Sequence, residues 1–90
     1  MLGNPLTIEQ KKLILVSMLK EADYLFCSDS VVKTFHNEYG QEVKIDITVV
    51  DETEIAWEVI IDGKQDVVCF SQKEDFVKDF LKINDENCYL

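Results

Sequence analysis

The chain has 90 residues, 47% of them hydrophobic, with nine lysines, no arginine and eighteen acidic side chains, a formal charge of −9. So short a chain has no room for a second cored domain, and folding buries only about 60% of its unfolded surface. A negative field without arginine disfavours nucleic acid and anionic membrane as partners and favours a basic protein.

Cys27, Cys69 and Cys88 show no Cys-x-x-Cys spacing and cannot all pair within one chain, so free thiols in a reducing cytoplasm are expected. No apolar run is long enough to span a bilayer, and the first residues carry no basic flank of the kind that precedes an export signal.

Thr7-Ile8-Glu9-Gln10 has the form of a capping box and predicts a helix from there to about Ala22 or Tyr24. Ile8, Leu15, Met18, Leu19, Ala22 and Phe26 recur at helical spacing. The apolar run 13–16 is broader than one amphipathic stripe and implies burial on a second side, against this chain or a twin. Ser28-Asp29-Ser30 breaks the pattern as a loop.

Between residues 31 and 70 the period falls to two and β-branched residues dominate, the mark of a sheet. Val31, Lys33 and Phe35 alternate with Val32, Thr34 and His36, and a turn follows at 37–41. Val43, Ile45, Ile47 and Val49 then form one face of a half-buried strand, opposed by Lys44, Asp46 and Thr48. After an acidic turn at 51–54, Ile55, Trp57, Val59 and Ile61 form a second apolar face. One register that joins the two faces sets Val49 opposite Trp57 and Ile47 opposite Val59, with 52–54 as the loop.

Asp62-Gly63 signals a hairpin into a fourth strand at about 66–70. A two-residue turn would set Asp66 opposite Val59, in the core. A three-residue turn with Gly63 in a bulge sets Val67 opposite Val59 and Cys69 opposite Trp57, and is preferred because it spares a buried carboxylate. Ser71-Gln72-Lys73-Glu74 is a second capping box, starting a helix with Phe76, Val77, Phe80 and Leu81 on one face and Asp75, Lys78, Asp79 and Lys82 in solvent. The expected architecture is a single α+β domain over residues 1–90, ordered α-β-β-β-β-α. It is a four-stranded antiparallel meander with both helices on one sheet face, and residues 1–6 and 84–90 are expected to fray.

No catalytic motif, phosphate loop or paired metal-ligand spacing is present, so no enzyme activity, cofactor or metal is expected. His36 reads as an ordinary strand residue. The remaining signals are two surfaces. Asp51, Glu52, Glu54, Glu58, Asp62 and Asp66 run from one hairpin tip along the strands toward the opposite turn, and would suit an inhibitor or immunity-type module that binds a basic protein. Val50, Ile60, Val68 and Phe70 form an apolar patch on the sheet face away from the helices, and would suit a homodimeric structural or regulatory domain.

Overall fold

The computed structural model describes residues 6–25, 30–87 and 89–90. The order of elements is α1 (Ile8–Leu25), β1 (Val31–His36), β2 (Glu42–Val49), β3 (Glu54–Ile61), β4 (Lys64–Gln72), a short 3-10 turn (Lys73–Asp75) and α2 (Phe76–Asn87). The strands form one antiparallel sheet in the order β1-β2-β3-β4, each paired with its neighbour in the chain. Helix α1 packs on β1 and β2, α2 packs on β4, and the helices touch each other. This is the α+β meander expected from the periodicities.

Helix α1 begins at the capping box read from the sequence. The Thr7 N–H donates to Gln10 Oε1 at 2.8 Å, and the Gln10 N–H donates to Thr7 Oγ1 at 3.1 Å. Leu15, Met18 and Ala22 are its buried residues. The broad apolar run is only partly covered, since Ile14 and Val16 are half-buried and Leu13 is 70% exposed. Phe26 and the predicted loop at 28–29 lie outside the described residues.

The core lies between helices and sheet. Val43, Ile45, Ile47, Val49, Ile55, Trp57 and Val59 are buried beneath Leu15, Met18, Phe76 and Phe80. Trp57 is the hub, with ring centroids 5.7 Å from Phe76 and 5.3 Å from Phe80.

Four details differ from the sequence reading. First, β2 and β3 pair with Ile47 opposite Trp57 and Val49 opposite Ile55, two residues from the expected register. Asp51 sets this hairpin: its Oδ1 accepts from the N–H groups of Thr53 and Glu54, each at 2.8 Å, and from the Thr53 hydroxyl at 3.1 Å. Those bonds centre the loop on Glu52 rather than Thr53, and each one-residue shift of a hairpin's centre moves the register by two.

Second, β4 does place Val67 opposite Val59 and Cys69 opposite Trp57, but by another route than the expected three-residue turn. Asp62 and Gly63 form a two-residue turn, both at positive φ (48° and 83°), so Ile61 faces Lys64. This is the conformation that Asp-Gly favours in a tight hairpin. The register then shifts between Val59 and Ile60, leaving Asp66 as the extra residue of a bulge.

Third, the Ser71 hydroxyl caps nothing. Ser71 lies within β4, where its Oγ accepts the Trp57 indole N–H at 3.0 Å and donates to Asp79 Oδ2 at 2.8 Å. Asp79 is thereby turned inward from its expected solvated position. The chain enters α2 through the 3-10 turn instead, and the Lys73 N–H donates to the Thr53 carbonyl at 2.8 Å.

Fourth, α2 continues to Asn87 instead of fraying from residue 84. Asn84 is buried and receives the Leu90 N–H at 2.7 Å, and Tyr89 folds back against Phe80. Its hydroxyl donates to Asp66, the bulge residue. Burial, reinforced by that carboxylate, pushes the Tyr89 hydroxyl well above its usual range.

Candidate functional site

Because the helices occupy one face of the sheet, the other face is left without a cover among the described residues. Alternation sends Val32, Thr34, Lys44, Asp46, Thr48, Ala56, Glu58, Ile60, Val68 and Phe70 to that face. The registers align four of these in a row across the strands: Val32 opposite Asp46, Asp46 opposite Glu58, Glu58 opposite Val68. The next row runs Thr48, Ala56, Phe70. The small Ala56 side chain leaves a shallow depression of about 180 Å³ there, lined by Asp46, Thr48, Ala56, Trp57, Glu58 and Val68.

Two carboxylates therefore stand side by side at the centre of the face, with a valine at each end of their row. Like charges directly opposite on neighbouring strands destabilise a sheet. Partial burial pushes the Asp46 carboxyl above its usual range, the Glu58 charge pushes it further, and a hydrogen bond from the Ser30 side chain opposes both. Glu58 is held on its other side by Gln65, whose Nε2 donates to Glu58 Oε2 at 2.7 Å.

The sign of the resulting pH dependence follows from proton affinity. A carboxyl raised above its ordinary value of 3.8 binds its proton more tightly in the folded state than in the unfolded one. The stability it contributes is present below that value and is lost as pH rises through the higher folded value. Asp46→Asn should therefore be more stable than wild type at pH 7, by a few tenths to about 1 kcal/mol, and the advantage should vanish toward pH 3. Urea unfolding at the two pH values checks this. Equal stability at neutral pH would mean that the pair carries no cost.

The six acidic residues singled out from the sequence are dispersed rather than gathered. Glu58 is central on the helix-free face. Asp51, Glu52 and Glu54 lie at the β2–β3 turn, while Asp62 and Asp66 lie near the β3–β4 turn, separated along β3 by roughly 25 Å. Three of these carboxylates serve the fold. Asp51 closes its own turn, and the backbone N–H bonds from Thr53 and Glu54 hold it below its usual range. Asp62 Oδ1 accepts the Glu42 N–H at 2.9 Å, and Asp66 accepts from Tyr89. Glu52 is exposed and Glu54 half-buried.

Of the apolar set, Val68 and Phe70 are neighbours on β4, 50% and 65% exposed. Ile60 is half-buried one row further along, and Val50 is exposed beside the acidic turn. Asp46 belongs to no predicted set, because the expected register placed it opposite Ile60. With the observed register it meets Glu58, and the signal that would have revealed it is the preference of Asp51 for closing a turn.

His36 ends β1 opposite Glu42, exposed. Cys69 is a free, partly buried thiol, and Cys27 and Cys88 lie outside the described residues. Among the described residues no three His, Cys, Asp or Glu side chains group closely enough to hold a metal ion, and no helix is long and apolar enough to cross a membrane. No known protein family, curated protein or solved structure matches the chain.

Proposed function

We propose that the chain is a small, non-catalytic interaction module of the inhibitor or immunity type, and that it captures a basic partner protein on the helix-free face of its sheet. The observation that carries this reading is the Asp46–Glu58 pair, set cross-strand in a depression between Val32 and Val68. Local choices that work against the fold concentrate at functional positions, and a lysine or arginine from a partner would relieve this repulsion. The flanking valines, Ala56 and Phe70 supply apolar contact around the charge. Glu52 and Glu54 extend the negative field beyond the face and would act on the rate of encounter.

The experiment uses the intact protein as bait in an extract of its source cells, at low and high salt, followed by binding kinetics with the captured protein. A basic partner should be retained at low salt and released as ionic strength rises. The double variant Asp46→Asn/Glu58→Gln should fold at least as well as wild type, yet lose about tenfold or more in affinity. Wild-type affinity in that variant, or capture indifferent to salt, would overturn the assignment.

A further inference from the structure

Beyond any heterologous partner, the outer edge of β4, which pairs with no further strand among the described residues, carries its own interaction signal. β4 is the last strand of the sheet, so along residues 67–72 alternate backbone N–H and C=O groups face away from β3. An edge of this kind is a template for another strand, and proteins usually guard it with charges, prolines, bulges or shortness. The guards of β4 are Lys64 and the bulge at Asp66, both at one end. Residues 67–72 hold no charge and no proline, and they display Val68 and Phe70. The opposite edge strand, β1, is shorter, six residues against nine, and has Lys33 in its middle.

We infer that the β4 edge pairs with the β4 edge of a second copy, antiparallel about a two-fold axis at Cys69, joining the two sheets into one of eight strands. The occupant follows from the sequence of the strand, whose Val68 and Phe70 are complementary to themselves about Cys69. Two chains of −9 repel over most of their surfaces, and residues 67–72 form a charge-free stretch through which they can approach. An antiparallel pairing that keeps the two helix-free faces on one side requires registers in which opposed residues share a face. Centring on Cys69 sets Phe70 opposite the second copy's Val68, and Val68 opposite its Phe70, two aromatic–aliphatic cross-strand pairs. Centring on Val68 would set the Asp66 bulge opposite Phe70, inside the pairing, whereas centring on Cys69 leaves it opposite Gln72, at the end. A single strand edge with four apolar side chains falls at the low end of interface size, at or below about 1,200 Å². The dimer is accordingly concentration-dependent rather than permanent.

Sedimentation equilibrium from micromolar to millimolar protein, at low and high salt, tests this. Dimer should appear with concentration and should tighten several-fold with added salt, because salt screens the mutual repulsion. A basic partner would show the opposite response, so failure of this inference is separable from failure of the proposed function. Val68→Lys alters an exposed edge position and lowers the net charge, yet should weaken association at least tenfold; an unchanged melting temperature confirms that it folds. Directly opposed residues lie about 4.5–5.5 Å apart at Cα, within disulfide range of about 4.4–6.8 Å. Diamide should therefore link two copies through Cys69 when Cys27 and Cys88 are replaced by serine. A chain that stays monomeric at millimolar concentration, a dimer unaffected by Val68→Lys, or a dimer that does not cross-link at Cys69 would each overturn the inference. The first of these outcomes would leave the edge to a strand from a different protein.

Discussion

Replacing Trp57 by alanine is expected to remove a large share of the stability of this domain, and all of it if the total lies at the low end of the usual range. The side chain is 1% exposed and is the common neighbour of Phe76 and Phe80, so its loss empties the junction between α2 and the sheet. A large-to-small change of this kind costs about 3–5 kcal/mol. At roughly 0.05–0.15 kcal/mol per residue, a chain of 90 residues has about 5–13 kcal/mol in all. The variant should unfold at a much lower urea concentration than wild type or fail to fold at all. An unchanged urea midpoint would show that Trp57 is not the hub of the core.

Ser71→Ala is expected to cost about 1–3 kcal/mol, although it removes one oxygen atom. That oxygen accepts from the Trp57 indole and donates to Asp79, and without it the buried N–H has no acceptor. The cost is that of an orphaned donor rather than of lost packing. In a Trp57→Phe background the same replacement should be milder, because no indole remains to be orphaned and only the bond to Asp79 is lost. Four urea curves close the cycle. Additive effects of the two changes would mean that the hydroxyl acts independently of the indole.

Ser71 also shows what the sequence concealed and why. Thr7 and Ser71 head the same four-residue pattern, with Gln and Glu in its last position, yet only Thr7 caps a helix. Thr7 lies at an exposed helix start with only local partners. The Ser71 hydroxyl is claimed by an indole fourteen residues earlier and a carboxylate eight residues later, and contacts at that distance leave no local trace.

Element types and buried faces were legible because alternation and helical period encode burial directly, as at Val43, Ile45 and Ile47 or at Phe76 and Phe80. The β2–β3 register depended on how the Asp51 side chain closes a loop, and periodicity is indifferent to shifts of two. That shift hid the pairing of Asp46 with Glu58, so the centre of the candidate site was legible only as two separate outward-facing acids. The C-terminal segment misled for a related reason. Asn84 reads as polar and exposed, but it is buried by bonding to the backbone of Leu90, which lets Tyr89 close over Phe80.

The meander has a consequence for the life of the chain before and between its folded states. Each strand pairs with its neighbour in sequence, so the sheet closes through three short loops at low entropic cost. The contacts of widest sequence separation involve the helices, as in the ion pair between Lys73 on the 3-10 turn and Asp23 on α1. Any opening that lifts the helices away leaves a four-stranded ribbon with Ile45, Ile47 and Trp57 bare on one side and Phe70 and Val68 bare on the other. Such a ribbon is sticky on both faces and along an edge. The surplus of carboxylates keeps one opened molecule away from the next, so the acidity of the chain acts as a safeguard against aggregation when the roof is off.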